Sequence, residues 1–274
     1  NIYYASEVDK FAIQQTRHVF PDTIQIGDVT KVDVSQLDKI DMIIGGSPCQ
    51  SFSFAGKQAG MATTENVEIT DLDQYLDLKI MGFEFTGQSY LFWEYMRILT
   101  EVRKYNPDVK FLLENVVMSK KWEAVLTDAI GVEPVMINSN LLSAQNRKRL
   151  YWTNIAEITQ PEDEGIFIRD ILEDDVDEKY YILGRGITDR MRKNLKSVDD
   201  KSFCLTATNY KGAQANGTTL IRSGEALRRL TPTECARLQT VPGWYKWVVS
   251  DTQIYRMCGN GWTVRVIEHI LKNL

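Results

Sequence analysis

From Asn1 to about Asn154 the chain alternates short apolar runs with longer segments whose apolar positions recur at helical spacing. That alternation predicts an α/β fold with a parallel sheet. Tyr3-Tyr4-Ala5-Ser6 reads as a strand ending at Glu7, followed by a helix from Asp9 to Val19; Thr23 to Ile26 reads as a second strand, closed by Gly27-Asp28. Ile40-Asp41-Met42-Ile43-Ile44 is a buried strand stopped by Gly45-Gly46-Ser47-Pro48, and Phe111-Leu112-Leu113 is another. Helices are predicted from Tyr90 to Tyr105 and from Trp122 to Ile130, with strands near Val135 and Leu150.

The period is lost after Asn154. Residues 156–227 are irregular, polar and rich in Gly, Thr and charge, which predicts a small separate domain. Within it Phe203-Cys204-Leu205-Thr206-Ala207-Thr208 reads as a strand leading into the loop Asn209-Tyr210-Lys211-Gly212. Helical spacing returns at Thr231-Pro232-Thr233-Glu234, a capping box with Pro at the first helical position. Val264 to Leu271 is a last helix, predicted to pack on the sheet. The division is therefore 1–155, 156–227 and 228–274, the third returning to the first.

With 274 residues, 43% of them hydrophobic, the chain can bury one large core with a smaller one beside it. Its four cysteines, Cys49, Cys204, Cys235 and Cys258, show no paired spacing, so neither a metal cage nor a disulfide framework is predicted, and a reducing cytoplasm fits best. No apolar run approaches the roughly 18 residues of a membrane span and no signal-peptide pattern is visible. His18 and His269 lie far apart in helical surroundings, which leaves no hydrolytic triad built on histidine. The net charge of −5 conceals a segregated distribution. Acids dominate from Glu157 to Glu178; from Arg185 to Arg229 the sign reverses, and a basic surface confined to one region suits contact with phosphates.

The chemistry concentrates at strand ends. Gly45 to Ser53 places Cys49 just past an apolar strand, where ligands sit in open α/β sheets, and Pro48 stiffens the approach to its sulfur. Glu114-Asn115-Val116 follows Phe111-Leu112-Leu113, and Gln145-Asn146-Arg147-Lys148-Arg149 sets two arginines on alternate residues before Leu150-Tyr151-Trp152. Near the end, Gly259-Asn260-Gly261-Trp262 precedes the final helix. The joint pattern of SPCQ, ENV, QxRxR, RxLTPxExxRLQ and GN resembles the cytosine-C5 DNA methyltransferase family, of bacterial or phage type, over nearly the whole chain.

The resemblance implies a Rossmann-like, S-adenosylmethionine-dependent sheet in which 1–155 and 228–274 are catalytic and 156–227 recognises the target. It implies Cys49 as the nucleophile that adds to cytosine C6, Glu114 as the acid at N3 and the exocyclic amine, Arg149 at O2, and Arg147 near the nucleophile and the DNA backbone. For the cofactor it implies Glu7 at the ribose hydroxyls, Val8 over the adenine, Asp28 at the adenine amine with Val29 on the other ring face, and Pro48, Leu91, Asn260, Gly261 and Trp262 along the remaining wall. For double-stranded DNA it implies Gln50, Ser51 and Ser53 in a closing loop, Gln145 as a positioning residue, and Thr206, Thr208, Lys211 and Arg222 in the recognition segment. A monomer without metal is expected.

Two departures carry expectations of their own. Family members open with a strand and a Gly-rich FxGxG loop, whereas this chain starts at what corresponds to their second strand, with Asn in place of Met. On that comparison about 25 to 30 residues are missing, the sheet is left with unpaired edges on both neighbours of the gap, and a fragment of this kind is expected to bind cofactor poorly. The second departure is an acidic stretch from Thr63 to Gly87, whose apolar Leu72, Tyr75, Leu76 and Ile80 are expected to pack on the protein. Three other readings stay open: a catalytically silent relative that binds DNA or a partner; a methyltransferase of tRNA, whose Cys-Phe-Thr signature is not found; and a dinucleotide oxidoreductase, which has only the α/β alternation behind it.

Overall fold

The computed structural model describes residues 2–48, 52, 60–182, 188–213, 217–224 and 226–274. The strands are β1 (Tyr4–Ala5), β2 (Ile24–Gln25), β3 (Met42–Gly46), β4 (Lys110–Val116), β5 (Val135–Asn138), β6 (Lys148–Thr153), β7 (Tyr181–Ile182), β8 (Leu195–Lys196), β9 (Leu220–Ser223) and β10 (Ala226–Arg229). The α-helices are α1 (Lys10–Val19), α2 (Leu72–Ile80), α3 (Leu91–Tyr105), α4 (Lys120–Ile130), α5 (Asp189–Lys193), α6 (Pro232–Leu238), α7 (Asp251–Asn260) and α8 (Val264–Leu271).

The main sheet runs β3-β4-β6-β5, with β3 parallel to β4 and β6 antiparallel to both its neighbours. β4 is buried on both faces, which explains its unbroken apolar run. Phe111 and Leu113 join the cluster under α3 and α4 with Trp93, Leu99 and Trp152, while Leu112 faces the other way onto Ile137, Val266 and Ile270 under α8. The register sets Gly46 opposite Glu114, so the exit of β3 lies against the acid of β4.

β1 and β2 form a separate two-stranded parallel sheet. Among the described residues, no ladder joins β1 or β2 to β3. Side chains make the connection instead: the Tyr4 hydroxyl donates to Asp38 at 2.7 Å, and Gln15 of α1 brackets the 246–248 segment through Lys246 O and Val248 N.

The segment expected to recognise the target contains a β7-β10-β9-β8 sheet that extends to Arg229, two residues past the expected boundary. It shares a core with the helices that follow: Ile168, Tyr180, Leu205 and Ile221 pack with Leu230, Cys235, Leu238 and Tyr255. A buried joint reinforces that packing. Arg228 on β10 donates both guanidinium nitrogens to Glu234 on α6, at 2.8 and 2.7 Å, and Glu234 also caps Thr231 and accepts from the Glu173 amide. The predicted capping box at Thr231, with Pro232 next to it, is present.

Two expectations are corrected. Residues 203–208 do not form a strand, because side chains take the backbone groups that a ladder would use. Thr219 accepts from the Phe203 amide, Gln145 from Leu205 and Asn209 from Thr206. In the acidic stretch, Tyr75 is buried and Leu72 and Leu76 pack on the core, but Ile80 is 84% exposed. Ile80 lies five residues beyond Tyr75, about 140° round the helix. No helix among the described residues is long and apolar enough to cross a membrane, and no group of three His, Cys, Asp or Glu side chains among them is arranged to hold a metal.

Candidate active site

Three strand ends and two loops converge on Glu114. Arg149, diagonal to it across the β4–β6 pair, sets its Nε 2.8 Å from Glu114 Oε1. A Cβ built on Gly46 would lie 3.1 Å from Trp262 Nε1 and 3.5 Å from Glu114 Oε2, so the missing side chain is what lets the indole reach the carboxyl. Glu114 is 8% exposed, and burial pushes its carboxyl above the usual range; Arg149, Arg147 and the Trp262 N–H pull it down without overcoming that. Its neighbour Asn115 donates to Ser47 Oγ at 2.9 Å and to Ser47 O at 3.3 Å, holding the turn that leads through Pro48.

Cys49, Gln50, Ser51 and Ser53 lie outside the described residues. Phe52 is buried with its ring centroid 5.9 Å from that of Trp122, and Gly60 presses on the same indole with φ +69°. Both described flanks of the expected closing loop therefore lean on one side chain of α4.

Arg147 and Gln145 lie deeper in the protein than a polar run suggests. Arg147 is 2% exposed and its guanidinium donates to Leu205 O at 3.0 Å, Gly259 O at 3.2 Å and Gly261 O at 2.8 Å, with Cys204 Sγ at 3.3 Å. Its two Nη groups are taken by these three carbonyls and the thiol while Nε stays without a partner, so the side chain acts as a clamp from the start of β6 to the 203–206 segment and the end of α7. Gln145 is likewise buried, donating to Leu238 O and Gln239 Oε1 while accepting from Leu205 N. Both are turned into the protein interior.

The sequence reading missed three residues. Cys204 stands 3.3 Å from Arg147 Nη1 and 3.8 Å from Arg149 Nη2, so its thiol lines the same cluster. Gln239 donates to Gly261 O and Cys258 O and accepts from Thr263, which fixes the loop carrying Trp262. Asn115 is the third. The only signal for them was adjacency, since each lies inside a motif already noted for another residue.

Gly259 marks a close approach. A Cβ there would fall 2.2 Å from the Thr206 carbonyl carbon and 2.3 Å from Ala207 N, both backbone atoms that cannot step aside. Gly259→Ala is expected to destabilise the fold by about 1–3 kcal/mol, measured by urea unfolding; an unchanged midpoint would contradict the packing of this loop on α7. The rim beyond is polar. Thr206 and Thr208 share a hydroxyl contact at 2.9 Å, and Thr208, Lys211 and Arg222 are exposed.

Of the other expected site residues, Glu7, Val8, Asp28 and Val29 lie just past β1 and β2, Leu91 opens α3 and Asn260 ends α7. Glu7 Oε1 accepts from the Val8 and Asp9 amides at 2.7 and 2.8 Å, and Asp28 Oδ1 accepts from Thr30 N and Oγ1, both at 2.9 Å. Those bonds hold the Asp28 carboxyl below its ordinary range. Val8 is 72% exposed, Val29 and Leu91 are half-buried, and Asn260 is exposed. Trp262, expected along this wall, brings its indole N–H to Glu114.

A family profile described as C-5 cytosine-specific DNA methylase matches residues 1–77 and 184–274. The chain is 30% identical over 306 residues to Type II methyltransferase M1.ScrFI of Lactococcus lactis subsp. cremoris, covering 99% of this chain and 71% of that one. It is 29% identical over 294 residues to Type II methyltransferase M.NlaX of Neisseria lactamica, covering 99% and 87%. Among solved structures, the S. pombe Dnmt2 methyltransferase shares the fold with a TM-score of 0.69 at 17% identity, over 99% of this chain and 89% of that one.

Proposed function

The chain belongs to the C-5 cytosine-specific DNA methylase family, and on that premise we propose how its residues divide the work of methylating C5 of a cytosine in DNA. The observation that supports the reading is the Glu114–Arg149 pair, a carboxyl raised by burial 2.8 Å from a guanidinium, beside the strand exit that leads to Cys49. A cytosine inside a duplex cannot reach such a pocket, so the base is extruded first. The Cys49 thiolate adds to C6; as the S–C6 bond forms, the ring's electrons shift toward N3 and C5. Glu114, keeping its proton to higher pH than a surface carboxyl, donates to N3 and accepts from the exocyclic amine as that charge builds. Arg149 holds the O2 carbonyl. After methylation a water takes the C5 proton, its C–H electrons form the C5–C6 double bond, and the C6–S bond breaks to return the Cys49 thiolate.

The residues past β1 and β2 fit a nucleoside cofactor. Two carboxylates sit just beyond the carboxyl ends of neighbouring parallel strands, each oriented by its own backbone amides and each followed by a valine. S-adenosylmethionine, when bound, supplies an electrophilic methyl on a sulfonium. Glu7 would hold its ribose hydroxyls, Asp28 its adenine amine, and Val8 and Val29 its ring faces. Thr206, Thr208, Lys211 and Arg222 form the DNA-facing rim. Sequencing of bisulfite-treated DNA from cells that express the chain tests the activity: cytosines of one short motif should resist conversion, and uniform conversion would overturn it.

A further inference from the structure

The acidic stretch ends in a network that the proposed chemistry leaves unused. Glu94 of α3 is fully buried, yet three groups converge on its carboxylate: the Tyr75 hydroxyl at 2.5 Å, the Lys79 ammonium of α2, and Arg97 Nε at 2.6 Å. Both cations then reach past Glu94 to one short turn. Lys79 Nζ donates to Thr30 O at 3.3 Å, while Arg97 donates to Val29 O at 3.2 Å and Val32 O at 3.0 Å. That turn opens with Asp28, whose carboxylate caps Thr30. Two cations sharing one buried anion thus hold three carbonyls of the 28–32 segment, and one of the cations comes from α2.

A merely solvated insertion would not be built this way. The Tyr75, Phe85 and Tyr90 rings stack with centroids 4.7 to 6.2 Å apart, anchoring α2 on α3. Lys79 could have stayed in water, but its ammonium is held by both the Glu94 carboxylate and the Thr30 carbonyl. We infer that Lys79 is a positioning residue: through Glu94 and the Thr30 carbonyl it makes the 63–87 stretch a strut that fixes the Asp28 turn, and so sets cofactor affinity from the side of the loop expected to close on DNA. This rests on the assignment of Asp28 to the cofactor. Lys79 touches neither the base nor the nucleoside; it acts on the backbone that presents Asp28.

The test uses the whole chain, with Lys79→Met, which keeps the aliphatic stem, and Lys79→Arg, which keeps the charge. Lys79 is partly exposed, so both variants should fold, and near-ultraviolet circular dichroism checks this. In Lys79→Met without ligand, amide hydrogen exchange at Thr30, Lys31 and Val32 is expected to quicken about tenfold, as for loss of a charged hydrogen bond, while α3 stays protected. Lys79→Arg should restore slow exchange. In calorimetric titration with S-adenosylhomocysteine, Kd should rise by a similar factor in Lys79→Met, with duplex affinity unchanged. Unchanged exchange at the turn overturns the strut, as does a quickened turn with unaltered S-adenosylhomocysteine affinity. If the turn quickens but the parent chain shows no affinity for that nucleoside, the strut is supported and what falls is the link from the turn to cofactor affinity in this chain.

Discussion

Cys49→Ser is expected to abolish methyl transfer, lowering turnover by about 10⁴-fold or more. The substitution changes one atom. A cysteine sulfur is a far stronger nucleophile than a serine hydroxyl toward an electron-poor ring carbon, and no general base is assigned to take a hydroxyl proton here. The local framework argues that geometry would survive. Gly46 stays in register with Glu114, Asn115 still holds Ser47, and Pro48 still restricts the approach. Duplex affinity measured by gel shift should therefore change little while incorporation of labelled methyl disappears. Methylation persisting at a tenth of the parent rate would remove Cys49 from the mechanism.

Glu114→Gln is expected to lower turnover by about 10²- to 10³-fold, with duplex affinity within a few-fold of the parent. Glutamine preserves volume but offers fixed donors and one acceptor where the carboxyl carries a movable proton. It also weakens the hold on Arg149, so both grips on the ring's polar edge suffer together. The same variant has a signature in stability. Burial raises the folded carboxyl above its unfolded value of 4.5, so folding takes up a proton there. The resulting stabilisation is fully present below 4.5 and is lost as pH rises through the raised folded value. Urea midpoints across that window should fall with pH in the parent relative to Glu114→Gln. Parallel curves would mean that Glu114 is not perturbed, whatever its effect on rate.

The α/β half of the molecule was legible because its signals are local and redundant. Asp9 caps α1, Phe111-Leu112-Leu113 fills β4, and Thr231-Pro232-Thr233-Glu234 starts α6, each by chemistry confined to a few neighbouring residues. Glu114 and Arg149 could be placed together because both end strands, and strand order brings ends together. What failed was whatever depended on distant partners. Arg147 was expected near the nucleophile and the DNA backbone and Gln145 as a positioning residue; nothing near them in sequence says that Leu205, Leu238, Gly259 and Gly261 supply the carbonyls that hold them inside. Residues 203–208 alternate like a strand, but Gln145, Asn209 and Thr219 intercept their amides. Lys79 in place of Ile80 faces inward because a buried carboxylate, fifteen positions away, waits on α3.

The Arg228–Glu234 joint has a consequence for how a duplex is read. Its two charge-assisted bonds cross from the last strand of the recognition sheet to the helix beneath, and Glu234 also secures Thr231 and Glu173 on either side. The connection is a weld and not a pivot. On the proposed reading, in which this sheet meets the duplex, a head welded to the other half cannot swing to follow its target, so the bending and untwisting would fall on the nucleic acid, and stiff sequences would be penalised even where no side chain touches a base.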